Sequence, residues 1–155
     1  ILTKGPNVLR GYYKNEEDTG QTIDKDGWFH TGDLGLMDED GNVFIKGRSK
    51  NMLLGSNGQN IYPEEIEDKL NSLPLVSECL VIQSGEKLIA LVHPDYDEAQ
   101  NLGLNADDLK NIMEENRTQL NTIVPAYCKV AEIRIQEEEF EKTPKKSIKR
   151  FLYTE

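Results

Sequence analysis

Two apolar runs, Glu78 to Gln83 and Leu88 to His93, flank the turn Gly85-Glu86-Lys87 and constrain this chain more than any other feature. Each has the length of a strand, and the turn carries the chain from one into the other. Upstream, Pro63 stands where a helix favours its first residue, with Glu64 and Glu65 near the helix's positive end. Ile66, Leu70 and Leu73 follow at helical spacing until Pro74 ends the helix. Downstream, Asn105 caps a longer helix from about Ala106, with an apolar stripe of Leu109, Ile112, Met113, Leu120 and Ile123. Val130 to Ile135 then alternates as a half-buried strand. Adding a short strand at Met52 to Leu54, the order is strand, helix, strand, strand, helix, strand. That order predicts an α+β domain: a small mixed sheet with helices packed on one face.

The residues up to about Gly47 read differently. Asn15 is placed to cap a helix whose first turn holds Glu16, Glu17 and Asp18, and Gly20 keeps it short. Trp28 to Thr31 and Leu34 to Met37 read as strands, and Asp40-Gly41 turns the second into a hairpin with Asn42 to Lys46. This part is too small to bury both faces of its strands. The expected organisation is a β-rich piece over residues 1–47, needing partner strands from elsewhere, and a separate domain over residues 48–155.

Composition narrows the function classes. The chain has 155 residues, 37% hydrophobic and 30% charged, with a formal net charge of -10. So acidic a chain is a poor non-specific binder of nucleic acid. No apolar run reaches the length of a membrane span or resembles a signal peptide. The chain opens on Ile1 without Met, which suggests a piece of something longer. Cys79 and Cys128 lie far apart without metal-ligand spacing, and read as buried thiols in a reduced, cytoplasmic setting. His30 and His93, at strand ends with no nucleophile or carboxylate constellation beside them, read as structural.

Chemistry-bearing residues gather at three places. In Thr31-Gly32-Asp33-Leu34, the Asp33 carboxylate can accept hydrogen bonds from both hydroxyls of a ribose, or simply cap a turn. In Gly47-Arg48-Ser49-Lys50, Arg48 offers a rigid fork for a ribose or phosphate oxygen, against the plainer alternative of a surface ion pair. Lys50, at the junction of the two parts, can hold different partners in two conformations. Gly55-Ser56-Asn57-Gly58 is a loop whose glycines admit positive φ or close approach of a ligand. It is not a phosphate-gripping loop, since GxxxxGK[ST] and GxGxxG are both absent. Last, Lys142-Thr143-Pro144-Lys145-Lys146-Ser147-Ile148-Lys149-Arg150 is strongly basic directly after an acidic run. Such a stretch is ordinarily a solvated, mutually compensating surface, but a lysine on such a turn can also stabilise charge developing at a phosphate or carboxylate.

In this order, WFHTGDLG, DEDGNVFIKGRSK, GQNIYPEEIE and EKTPKKSIKR closely resemble the C-terminal part of the acyl-adenylate-forming ligases, the superfamily of acyl-CoA synthetases, luciferase-like enzymes and peptide-synthetase adenylation domains. The resemblance covers essentially the whole chain, and the loop LLGSNGQNIYPEEIE looks most like the long-chain fatty-acid–CoA ligase branch.

The resemblance implies a role for each position. Asp33 matches the aspartate that holds the ribose hydroxyls of ATP and the acyl-adenylate, and Arg48 an arginine on the same ribose. Lys50 matches the hinge about which the C-terminal domain swings, and Gly58 the loop glycine facing the pantetheine tunnel of coenzyme A. The tail departs from the family's Pro-x-Gly-Lys pattern, because Ser147 stands where the adenylating lysine is expected; Lys146, one residue earlier, is then the catalytic candidate. ATP, Mg2+, coenzyme A and a fatty acid are the implied substrates and cofactor, and the rest of the large N-terminal domain the implied partner. A greasy substrate makes peripheral membrane contact plausible for the parent. By itself this piece is expected to be inactive. Two alternatives stand beside this reading: a non-catalytic α+β module that recruits a partner, and an adenylating enzyme that passes its acyl group to a carrier protein.

Overall fold

A computed structural model describes residues 1–154. The chain forms two compact units, Ile1–Asn51 and Met52–Glu155.

The first unit is a set of short pieces. β1 (Leu2–Thr3) pairs antiparallel with β2 (Phe29–His30), and β3 (Asp33–Met37) with β4 (Val43–Arg48). Between them runs α1 (Glu16–Thr22), whose cap Asn15 accepts the Asp18 N–H as its sequence predicts. At the β3–β4 turn the Asp38 carboxylate accepts the backbone N–H groups of Asp40 and Asn42. Gly35 is fixed by crowding: a Cβ there would lie 2.9 Å from the Phe44 carbonyl oxygen. No residue of this unit is buried, and Leu36, Met37, Val43, Phe44 and Ile45 are all more than half exposed. The unit therefore has no core of its own, as its size leads one to expect.

The second unit is the predicted α+β domain. A hairpin of β5 (Leu53–Leu54) and β6 (Asn60–Ile61) leads into α2 (Pro63–Leu70). The sheet follows in the order β7 (Val76–Ser84), β8 (Lys87–Pro94), β9 (Val130–Ile135). β7 and β8 are antiparallel, as the tight turn requires, and β8 and β9 are parallel. The parallel crossover carries α3 (Tyr96–Asn101) and α4 (Ala106–Ile123). Asn105 caps α4 in a full capping box with Asp108. α2 and α4 cover one face of the sheet, packing Ile66, Leu70, Met113 and Leu120 against Cys79, Val81, Ala90 and Val92. Burying such a side chain stabilises by about 1.5–3 kcal/mol each.

Four expectations need correction. α2 ends at Leu70, not at Pro74. The residue before a proline avoids the α region, and Asn71 to Leu73 tighten into turns before Leu75 adopts a φ of 57°. In α4, Ile123 is half exposed and Val124, just past the helix, takes the buried place. α3 was not anticipated; Asp95 caps it by accepting the Glu98 N–H. The basic tail is exposed at Lys145 to Ser147 and charge-compensated at Lys149, but the segment that carries it is also anchored in the fold. Phe140 is buried against Leu80, Ile82 and Ile89, with Ile148 and Tyr153 packed around them, so the tail covers the sheet face that the helices leave open.

Candidate functional site

In the first unit, Asp33 and Arg48 form the first residue pair of the β3–β4 ladder. The pairing puts their side chains together, and Arg48 Nε lies 2.9 Å from Asp33 Oδ1. Arg48 Nη1 also donates to the Thr31 carbonyl at 3.0 Å, so the guanidinium spans the turn that delivers Asp33. That turn needs Gly32, whose φ is 76° and whose backbone faces Arg48 Nη1. A carboxylate held by one guanidinium edge keeps lone pairs for hydroxyl donors, and the guanidinium keeps donors for an oxygen. Lys50 follows, exposed, in the single turn Ser49–Asn51.

In the second unit, the loop between β5 and β6 is closed by Gly58 N–H donating to the Gly55 carbonyl and Gly55 N–H to the Gln59 carbonyl, both at 2.8 Å. Gly58 has a φ of 77°, and a Cβ on it would meet no atom within 4 Å. Glycine is there for its backbone conformation, and the loop tip stands open. Beside the loop is a cavity of about 440 Å³, lined among others by Ile61, Leu88, Ala131, Tyr127, Lys87 and Lys129. Sequence reasoning missed these last three because they come from separate segments, each unremarkable on its own.

The tail forms a tight turn. Thr143 N–H donates to the Ser147 carbonyl and Lys146 N–H to the Thr143 carbonyl, both at 2.8 Å. Lys146 has a φ of 62°, a left-handed conformation that favours glycine, and this is where the family pattern has its glycine. Lys145, Lys146 and Ser147 are exposed. At the base of the turn Lys142 Nζ reaches Glu78 at 2.6 Å, and this hydrogen bond raises the Lys142 ammonium above its ordinary range. Arg150 donates to both carboxylate oxygens of Glu67 and to the Val81 carbonyl. Burial pushes the Glu67 carboxyl up, against the opposing pull of Arg150. Sequence reasoning missed this pair too, though a signal existed: Glu67 shares a helical face with Pro63 and Leu70, and a charge on a buried face calls for a partner.

Among the described residues no three His, Cys, Asp or Glu side chains gather where they could hold a metal ion. Burial pushes the Cys79 and Cys128 thiols up, which suits inert core residues. No helix among the described residues is long and apolar enough to cross a membrane.

The second unit is thus a small α+β domain with a glycine loop ahead of α2 and a basic turn near its end, preceded in the chain by the Asp33–Arg48 ladder pair. Residues 50–155 match the AMP-binding enzyme C-terminal domain family, and the chain belongs to that family, the C-terminal portion of the acyl-adenylate-forming superfamily. Its relatives include a 2-succinylbenzoate–CoA ligase of Bacillus cytotoxicus, 47% identical over 87 residues, which are 56% of this chain and 18% of that protein. The putative acyl-CoA synthetase YngI of Bacillus subtilis is 48% identical over 82 residues, 53% of this chain and 15% of that protein. The chain thus spans less than a fifth of the length of these curated relatives. Among solved structures, an anthranilate–CoA ligase in complex with anthranoyl-AMP superposes with a TM-score of 0.81 at 26% identity, over 98% of this chain and 27% of that one. O-succinylbenzoate coenzyme A synthetase of Bacillus subtilis gives 0.63 at 26% identity, over 88% of this chain and 27% of that one. The adenylation domain of a Mycobacterium chelonae carboxylate reductase shares the fold, with a TM-score of 0.81 at 22% identity, over 93% of this chain and 24% of that one.

Proposed function

We propose that this chain is the closing portion of an AMP-forming acid–thiol ligase. In the first half-reaction a carboxylate oxygen attacks the α-phosphorus of ATP and pyrophosphate leaves, giving an acyl-adenylate. In the second the thiol of coenzyme A attacks the acyl carbon, loses its proton, and AMP leaves. The observation that carries the reading is the Asp33–Arg48 pair, a carboxylate and a guanidinium set side by side at the head of a ladder.

In this reading Asp33 accepts the ribose hydroxyls and Arg48 donates to a ribose oxygen. Lys146 brings positive charge to the carboxylate and α-phosphate as they react. Gly58 lines the approach of pantetheine, and the cavity beside its loop offers Lys87 and Lys129 to anionic groups of the thiol substrate. Residues 1–47 close the large N-terminal domain, residues 48–155 form the mobile lid, and Lys50 is the hinge between its two poses. Mg2+, arriving with ATP, neutralises the phosphates when bound.

The loop before α2 resembles the long-chain fatty-acid branch, whereas the curated relatives include proteins named for 2-succinylbenzoate. The intact parent assayed with palmitate, 2-succinylbenzoate and anthranilate in turn selects between them, and coenzyme A against a carrier protein identifies the acceptor. ATP–pyrophosphate exchange in the parent, compared with Lys146→Ala and Lys145→Ala, tests the lysine. Loss on Lys146→Ala alone supports the assignment. A parent with no exchange under any acid refutes the ligase reading and favours a partner-binding module, to which Ser147 at the lysine position already lends weight. The isolated chain with ATP, acid and coenzyme A is expected to form no thioester.

A further inference from the structure

The tail turn has a free tip and a fastened base, and the strongest fastening is Arg150. Its side chain is 19% exposed and that of Glu67 12% exposed, so the ion pair between them is largely enclosed. One arm of the guanidinium bonds both Glu67 oxygens, and the other donates to the Val81 carbonyl at 3.1 Å. Glu67 in turn accepts the Val81 N–H at 2.6 Å. Three elements, α2, β7 and the tail, therefore meet on one planar fork, a geometry that a lysine's single ammonium cannot reproduce. α2 follows the β5–β6 hairpin whose loop holds Gly58, and Arg150 stands four residues after Lys146. Among the described residues the tip lysines, Lys145 and Lys146, meet no ion-pair partner, whereas Lys142, Lys149 and Arg150 around them each do.

We propose that Arg150 is a positioning residue for the adenylation half-reaction: by tying the tail to Glu67 and Val81 it holds the turn that presents Lys146. This rests on the ligase reading and on Lys146 as its charge donor. Displacing a reacting group by about 1 Å costs on the order of 100-fold in rate, so a loosened turn should slow the step that uses Lys146 and spare the step that does not.

The test uses the intact parent. Arg150→Lys keeps the charge and loses the fork. A second variant, Glu67→Met with Arg150→Met, removes the pair without leaving a buried charge, a replacement that is often neutral for stability; circular dichroism checks that each variant is folded. Two rates are measured for each: ATP–pyrophosphate exchange, and thioester formation from pre-formed acyl-adenylate and coenzyme A. Exchange is expected to fall roughly 100-fold and thioester formation to stay within about threefold. Adding Arg150→Lys to Lys146→Ala should cost nothing further. Equal loss of both half-reactions, or a full extra loss in the Lys146→Ala background, overturns the proposal. If Lys146→Ala abolishes exchange and neither pair variant changes it, the positioning inference alone fails. If Lys146→Ala leaves exchange intact, the lysine assignment itself fails and takes the inference with it.

Discussion

Replacing Asp33 by Ala in the intact parent isolates the ribose contact. The carboxylate is about a third exposed and Arg48 about half exposed, so the ion pair between them contributes no more than about 1 kcal/mol. The larger loss comes from the ligand. Hydrogen bonds to a charged acceptor contribute about 1.5–3 kcal/mol each, and two ribose hydroxyls would share this carboxylate. Because water can reach the emptied position, the low end applies, near 3 kcal/mol in total. At 1.4 kcal/mol per factor of ten, that weakens ATP binding roughly 100-fold. Calorimetric titration with ATP and with 2′,3′-dideoxy-ATP separates contacts to the ribose hydroxyls from those to the base and phosphates. The unaltered parent should prefer ATP by about 100-fold, and Asp33→Ala should bring the two affinities together. If the preference for ATP survives the substitution unchanged, Asp33 does not hold the ribose and the Asp33–Arg48 pair is structural.

Three further outcomes are expected. Leu120 is fully buried between α4 and the sheet, so Leu120→Ala should destabilise the second unit by about 3–4 kcal/mol, read from the midpoint of guanidinium unfolding; a shift under 1 kcal/mol would contradict the packing. Asp24 is held below its usual value, chiefly by the Trp28 N–H, and Asp38 chiefly by the Asn42 side chain. Folded-state values below the unfolded one mean stabilisation present above about pH 4 and lost as pH falls through the folded value. Fluorescence of Trp28, the lone tryptophan, should follow that acid transition, and Asp24→Asn should flatten it. Finally, Lys87→Ala with Lys129→Ala should raise KM for coenzyme A about tenfold, since exposed ion contacts contribute up to about 1 kcal/mol each, without moving KM for ATP; equal changes in both would place the cavity outside the thiol path.

Local signals carried most of the element pattern. Asn15 and Asn105 cap their helices because the side chain, the acidic first turn and the following periodicity all agree. The tight turn after Gln83 dictated the β7–β8 hairpin. Asp33 and Arg48 were each legible as candidates, but their contact depends on ladder register, which a bulge at Leu34/Gly35 adjusts. The sequence misled where a long-range partner overrides local character. Phe140 and Arg150 sit in a stretch so charged that it reads as surface, yet they are recruited by β7, about sixty to seventy residues earlier. Asn116 falls on the apolar stripe of α4 and is buried because it donates to the Pro74 carbonyl at 2.8 Å. That acceptor is invisible until the fold brings it there.

The cover that Phe140, Ile148 and Tyr153 form over Leu80, Ile82 and Ile89 has a consequence for biogenesis. Val81 and Arg150 lie 69 residues apart in the chain. At about 5–20 residues per second on the ribosome, the sheet's second face is synthesised roughly 3 to 14 seconds before its cover. For that interval the nascent polypeptide displays a bare apolar surface beside an unpaired Glu67, which is what a chaperone such as a ribosome-bound holdase would grip.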